Sequence, residues 1–243
     1  MPRFFISPEE AAADRITLTG EAARHILSSL RMRVGERLTL CDGQGTDLLT
    51  ELCEAGRQQV TVQVLSRTPS TAESSCRITL FQCLPKGDKM ESIVQKAVEL
   101  GAVCVQPVLS SRCISRPDER AAEKKRLRWQ QIADEAAKQS GRGALCAVRP
   151  TLSWREAVAS LASLSHPLML YENQQDSPLS RLPQGAAEVG ILVGPEGGFS
   201  PEEAEEAARA GIVLIGLGPR ILRTETAGPA AIAVVQYLTG NLG

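Results

Sequence analysis

Aromatic residues make up only 3% of this 243-residue chain, and histidine occurs twice. So sparse an aromatic supply argues against a base-stacking platform of the kind that single-strand binders use. The 7 cysteines are odd in number and include no CxxC pair. Neither a zinc cluster nor an extracellular disulfide scaffold is therefore favoured, and no metal is expected. No uninterrupted run of 18 apolar residues occurs, and the opening MPRFFISPEE is not a basic-then-apolar secretion signal. A soluble, cytoplasmic protein without membrane contact is expected. Lys+Arg is 27 and Asp+Glu is 28, a formal net charge of -1, which excludes adhesion to nucleic acid by bulk charge alone. Neither GxGxxG nor GKS/GKT is present, so hydride and phosphoryl transfer lose ground. A Ser-His-Asp set is not credible either, because His25 sits in a helical stretch and His166 precedes Pro167 at a strand start.

What the chain does have is 43% hydrophobic residues, enough for a sizeable core, and an uneven charge distribution. Residues 76–149 carry 14 basic and 8 acidic side chains, a net of +6 that the neutral total conceals. That middle segment is the expected polyanion contact. Residues 1–67 read mostly as short strands: 37–41, 47–53 and the alternating QVTVQVL at 59–65, with one helical piece at 21–30 for which Thr19 is a candidate cap. A small β-rich barrel is expected there, followed by a polar linker at 68–75. Strands then alternate with helices. Strands are predicted at 77–84, 103–109, 168–171, 189–193 and 212–217, and helices at 90–100, 119–140, 201–210 and 225–238. The helix near 90 is expected to open with an Asp88–Glu91 capping box, and the one at 201 with Ser200 as cap, Pro201 next and Glu203 completing the box. This rhythm predicts a mostly parallel sheet with helices on both faces.

Parallel sheets bind ligands beyond the carboxyl ends of their strands, and two loops there have unusual composition. In GPEGGFSPEE (194–203), three glycines around Pro195 and Glu196 let backbone approach a ligand closely. In GLGPRILRTETAGPA (216–230), two glycines stand with Arg220, Arg223, Glu225 and Thr226. Ile221 and Leu222 can line a base or adenine pocket, the arginines can hold a phosphate or a carboxylate, and Glu225 can accept a proton; an Arg–Glu pair that merely closes the loop is the plainer alternative. Most cysteines sit in or beside apolar segments as core filler, and Cys113, beside Arg112 and Arg116, is the one to watch.

Four stretches, LPKGDKMESIVQKAVELG (84–101), RW..IADEAAKQSGR (128–142), ILVGPEGGFSPEE (191–203) and LGPRILRTETA (217–227), together with RHILSSLRMRVGE (24–36), resemble the SPOUT-superfamily methyltransferases that act on uracil N3 of 16S ribosomal RNA. The likeness spans nearly the whole chain. It implies an α/β protein with an N-terminal PUA-like β-barrel over residues 1–70, then a SPOUT methyltransferase domain over 76–243 with a C-terminal trefoil knot. True knots are nearly absent among proteins, so the knot enters by resemblance alone. Also implied are S-adenosylmethionine as cofactor, a homodimer, and uridine 1498 of 16S ribosomal RNA in the assembled small subunit as substrate. Carried onto this chain, the cofactor residues are Leu170, Tyr171, Glu172, Leu192, Gly194, Pro195, Glu196, Gly197, Gly198, Leu217, Gly218, Ile221, Leu222, Arg223 and Thr226. Glu225 or Glu196 is expected near the departing N3 proton, and Arg223 or Arg220 near the ring oxygens, as general base and charge stabiliser. RNA contacts are expected from Arg24, Arg31, Arg33, Lys86, Lys89, Arg112, Arg116, Lys124, Lys125, Arg128 and Arg142. Cys113 stands where the family commonly has a serine.

Overall fold

The structure is a computed structural model, and it describes residues 1–172, 174, 179 and 182–242. The chain divides into two compact units, one of residues 1–73 and 137–145, the other of residues 74–136 and 146–243.

The first unit is a five-stranded half-barrel sheet in the order β1-β3-β4-β5-β2. Its strands are β1 (Arg3–Phe5), β2 (Arg15–Thr19), β3 (Arg37–Cys41), β4 (Thr46–Ala55) and β5 (Gln59–Pro69). All pairs are antiparallel except β1 with β3. Period-two alternation turns Ile16 and Leu18 of β2, Leu38 and Leu40 of β3, and Val60 and Val62 of β5 into one apolar cluster. Thr50, buried among them, donates its hydroxyl to the Leu38 carbonyl at 3.0 Å, so its polarity is satisfied. Between β1 and β2 lies the short α1 (Pro8–Ala11), capped by Ser7 and Glu10. The helical piece expected at 21–30 is α2 (Gly20–Arg24) continued by a π-helical turn, His25–Ser29. Thr19 stands at its N-cap in extended backbone without a side-chain hydrogen bond. Strand β5 runs to Pro69, into the segment that reads as linker.

Residues 137–145 complete this unit. Glu73 accepts from the Arg142 guanidinium at 2.7 Å and from the backbone N–H groups of Gly143 and Ala144 at 2.9 and 3.0 Å. A Cβ at Gly143 would meet Ser70 and Asp47 at 2.5–2.8 Å, closer than packed atoms tolerate.

The second unit is a parallel sheet built from β6 (Arg77–Cys83), β7 (Ala102–Leu109), β8 (Ala147–Val148), β9 (Leu152–Ser153), β10 (Pro167–Leu170), β11 (Glu188–Val193) and β12 (Val213–Ile215). Its order is β12-β10-β11-β6-β7-β8, with β9 also on β7. Among the described residues its helices are α3 (Lys89–Glu99), α4 (Glu119–Gln139), α5 (Trp154–Ala162), α6 (Pro201–Arg209) and α7 (Thr224–Leu238). The run Met90, Ile93, Val94, Ala97, Val98 is the buried stripe of α3, as its spacing predicts. Helix α7 packs on α3, β6 and β11, whereas α5 packs on β7 and β11. A Cβ at Gly228 of α7 would lie 3.4–3.6 Å from Leu80 and Gln82, while one at Gly190 would strike Leu161 and Leu164 around α5 and come 3.6 Å from Phe81. Successive β6 residues point to opposite faces, so α7 and α5 cover opposite sides. The central strand β11 leads through α6 to the edge strand β12, and α7 then returns across β6 and β11, an arrangement consistent with a SPOUT-type knotted fold.

The Asp88–Glu91 capping box does not form. Asp88 has ψ near 11° rather than an extended backbone and makes no side-chain cap, and the Glu91 carboxylate goes instead to the Arg128 guanidinium at 3.2 Å. Capping boxes do form at Ser200–Glu203 on α6 and at Ser153–Glu156 on α5. Among the described residues no helix is long and apolar enough to cross a membrane.

Candidate active site at the carboxyl ends of β10, β11 and β12

Three loops leave adjacent parallel strands on the same side. Tyr171 follows β10 and donates its N–H to the Ile215 carbonyl at 2.9 Å, which fixes the start of the first loop against the end of β12. Gly194–Ser200 follows β11 and runs straight into the Ser200 cap of α6. The buried Glu203 closes that cap through Ser200 N–H at 3.0 Å and takes Ser111 N–H at 2.7 Å on its other oxygen. The third loop leaves β12 and ends at α7, where Thr224 donates its hydroxyl to the Gly194 carbonyl at 2.7 Å and accepts from Gln82 Nε2 at 3.0 Å. Gln82 is wholly buried in β6. One threonine hydroxyl therefore ties β6, the loop after β11 and the start of α7.

These loops enclose a cavity of about 800 Å³, within the usual range for ligand pockets. Leu170, Val193, Ile215, Leu217, Leu222 and Phe199 supply apolar wall, while Glu172, Glu196, Glu225, Lys89, Arg220 and Arg223 supply charge. Backbone approaches closely at two glycines. Any Cβ at Gly216 would run into the Gln174 carbonyl oxygen, and Gly198 has φ of +63° with the Glu172 carboxylate 3.4 Å from where a Cβ would sit.

Two of the three cavity carboxylates, Glu196 and Glu225, share one cation. Glu196 accepts from Lys89 Nζ at 2.8 Å, and from Lys86 N–H at 3.1 and 3.3 Å on its two oxygens. Glu225, in the first turn of α7, has Lys89 Nζ 3.4 Å from Oε2, yet that oxygen is buried and makes no hydrogen bond among the described residues. Burial pushes Glu196 upward, but the Lys89 ammonium and the N–H groups of Glu196 and Lys86 outweigh it and hold the carboxyl below its ordinary range. Glu225 is lowered by its own backbone N–H against opposing burial, with Lys89 and Arg223 adding to the effect. Lys89 is raised by its hydrogen bond to Glu196 and by both carboxylate charges. At neutral pH Glu196 and Glu225 are therefore both anions beside one ammonium.

Of the cofactor residues expected from sequence, Leu170, Tyr171, Glu172, Gly194, Pro195, Glu196, Gly198, Leu217, Gly218, Ile221, Leu222 and Arg223 line this cavity, as do the expected catalytic residues Arg220 and Glu225. Three do not. Leu192 is wholly buried within β11, Gly197 turns its carbonyl to the Arg112 guanidinium at 2.8 Å, and Thr226 is exposed on α7. Gln174, Phe199, Pro219, Thr224 and Ala227 line the cavity without having been singled out, and Gly216, noted only as a loop glycine, lines it too. Gly216 and Thr224 carried a usable signal, because they bracket the arginine-rich loop they position.

The basic residues divide as clearly. Arg24, Arg31, Arg33, Lys86, Arg112, Arg116, Lys124, Lys125 and Arg128 are exposed. Arg116 donates to the carbonyls of Ser110 and Ser111, and Arg128 pairs with Glu91. Lys89 lies in the cavity wall instead. Arg142 is a correction: its side chain is 3% exposed and paired with Glu73, so it braces the first unit and is not an accessible phosphate contact. Cys113 is buried, with the Ser110 N–H 3.4 Å and hydroxyl 3.3 Å from its sulfur; a hydrogen bond from Cys83 leads in lowering its thiol to about 6 despite burial. Among the described residues no group of His, Cys, Asp and Glu is placed to hold a metal ion.

Residues 72–236 match the RNA methyltransferase domain family, and residues 18–65 match the RNA methyltransferase PUA domain. The ribosomal RNA small subunit methyltransferase E of Bacillus subtilis is 34% identical over 98% of this chain and 97% of its own length. Its counterpart in Mycobacterium bovis is 33% identical over 91% of this chain and 86% of its own. A crystal structure of the Neisseria gonorrhoeae ribosomal RNA small subunit methyltransferase E bound to S-adenosylmethionine superposes with a TM-score of 0.84, at 36% identity over 98% of both chains. A Legionella pneumophila protein solved in complex with the same cofactor gives a TM-score of 0.83 at 32% identity, over 97% of this chain and 96% of that one. With both units matched and the glycine-walled cavity in place, this chain belongs to the ribosomal RNA small subunit methyltransferase E family of the SPOUT superfamily.

Proposed function

We propose that this protein transfers the methyl group of S-adenosylmethionine to N3 of uridine 1498 in 16S ribosomal RNA, presented by the small ribosomal subunit in the cytoplasm. The observation that carries the reading is the cavity at the ends of β10, β11 and β12, where close-approach glycines meet an apolar wall and a charged rim. That combination suits a ligand with a flat apolar base at one end and charged groups at the other. Residues 170–172, 194–198 and 217–223 would hold the cofactor, which supplies an electrophilic methyl group.

The chain's own tasks are alignment and deprotonation. Uridine N3–H is a weak acid, and the nitrogen becomes nucleophilic as its proton leaves. Glu196 has both oxygens hydrogen-bonded by Lys86 and Lys89, whereas Glu225 Oε2, buried and 3.4 Å from Lys89 Nζ, makes no hydrogen bond among the described residues. Glu225 is therefore the better acceptor for that proton. Arg223 and Arg220 stand at the same wall and suit the negative charge that spreads onto the uracil oxygens. The exposed lysines and arginines at 86, 112, 116, 124, 125 and 128, with Arg24, Arg31 and Arg33 on the first unit, suit phosphate contacts that position the substrate. Val234 and Tyr237, apolar and exposed on α7, support pairing with a second copy, which sedimentation would test.

Incubation with labelled S-adenosylmethionine and small subunits from a strain lacking the modification, then nucleoside mass spectrometry, tests the reaction. It should yield 3-methyluridine at a single position. A different methylated nucleoside, or none, would overturn the assignment.

A further inference from the structure

We infer that Lys89 is a positioning residue of the transfer reaction, holding the carboxylates of Glu196 and Glu225 at the cavity wall, rather than one of the phosphate-contacting lysines of the basic segment. This rests on the methyl-transfer reading above and assigns a role within it.

Lys89 is the first residue of α3, Glu196 lies in the loop after β11, and Glu225 opens α7. One ammonium, 2.8 Å from Glu196 Oε1 and 3.4 Å from Glu225 Oε2, thus joins three elements that lie far apart in sequence. A cation at the first position of a helix opposes the helix dipole, and Asp88 supplies no side-chain cap to offset it. The two acidic partners reverse that penalty. They in turn need the cation, since two carboxylates on one wall repel and each would push the other toward protonation. A residue set against its local preference and resolved only by site residues is the pattern expected of a functional position. Lys86 provides the contrast: its side chain is exposed, and only its backbone N–H reaches Glu196.

In the reaction the N3 proton passes to Glu225 Oε2, the N3–methyl bond forms as the methyl–sulfur bond breaks, and the electron pair of that bond stays on sulfur. The proton then leaves Glu225 for water. Lys89 stays protonated throughout. Among the described residues, the charged groups facing Glu225 are Lys89 from α3 and Arg223 from the preceding loop, with Glu196 on the far side of the ammonium. Lys89 keeps the acceptor ionised before the proton arrives and favours its release afterwards.

The test uses the full chain with Lys89→Met, Lys89→Gln and Lys89→Arg, each also combined with Glu225→Gln. It measures kcat and KM for unmodified small subunits, and cofactor affinity by calorimetry. The neutral variants should lose about 100-fold in kcat with KM for subunits and cofactor affinity within about threefold, and Lys89→Arg should recover most of the loss. In the Glu225→Gln background the same substitutions should cost less than about threefold, because the pair acts as a unit. Unchanged kcat with raised KM and a shallower salt dependence would make Lys89 a phosphate contact and overturn the inference. A full additive loss, or a tenfold loss of cofactor affinity, would overturn it too. Should Lys89→Met not fold, Lys89→Gln decides. A wild-type protein that transfers no methyl group would instead refute the parent reading.

Discussion

Replacing Thr224 by valine, beside a serine control, isolates one hydroxyl at the hinge of the site. The threonine is 5% exposed, donates to the Gly194 carbonyl at 2.7 Å and accepts from Gln82 Nε2 at 3.0 Å. Valine keeps the side-chain volume but removes both bonds, which cost about 1 kcal/mol each when lost and more when a buried partner is stranded. Gln82 keeps its second bond, to the Cys83 carbonyl, so only part of that extra penalty applies. The expected destabilisation is about 2–3 kcal/mol. Serine keeps the hydroxyl and loses one methyl group, about 1 kcal/mol. Urea midpoints at unchanged slope read the difference. Cofactor affinity should fall about fivefold or more in Thr224→Val alone, because the loop after β11 loses its tether. If serine proved as costly as valine, packing rather than hydrogen bonding would hold this junction, and the argument for the tether would fail.

Gly216→Ala should lower cofactor affinity at least tenfold by calorimetry, since its Cβ would press on the Gln174 carbonyl and crowding of this kind costs about 1–3 kcal/mol. Charge reversal at Lys124 and Lys125 should raise the Kd for RNA and reduce its salt slope by about two, leaving cofactor affinity unchanged; equal RNA affinity across a salt series would refute this. Glu196 has a lowered carboxyl, so its contribution to stability is present above the ordinary glutamate value and fades as pH falls through the lower folded value. The Tm gap between wild type and Glu196→Gln should accordingly be full above about pH 5 and close with further acidification; a gap that widens in acid would contradict the ion-pair account.

Local periodicity carried most of the architecture. The five apolar residues of α3, the alternation in β5 and the Ser200–Pro201–Glu203 start of α6 each sit where spacing alone puts them. Ser153 and Glu156 formed an equally readable signature for α5, which the strand–helix reading passes over. Other features arise only from distant contact. Nothing near Lys89 shows that its ammonium meets residues 107 and 136 positions away, so in sequence it joins the other lysines of a basic segment. Arg142 misleads for the same reason: its charge is visible, but its burial against Glu73 is not. The Asp88–Glu91 box is absent where Asp88 is not extended and Glu91 pairs with Arg128, remote in sequence. Loop composition located the cavity, and tertiary pairing decided which of its residues bear the charge.

Residues 137–145 give the molecule a timing constraint. The carboxylate of Glu73 finds its guanidinium and two amides only in that later stretch, so the N-terminal unit is not complete when its own strands have left the ribosome. At roughly 5–20 residues per second, the missing piece arrives about 4–14 s later, after β6, α3, β7 and most of α4 have been made. For that interval the nascent half-barrel carries an unmatched acidic group at its margin. Severing the chain between residues 74 and 76, so that Glu73 is kept, would make that interval permanent. A fragment ending there should melt earlier than the same unit in the intact protein, and supplying a 137–145 peptide in trans should raise its Tm.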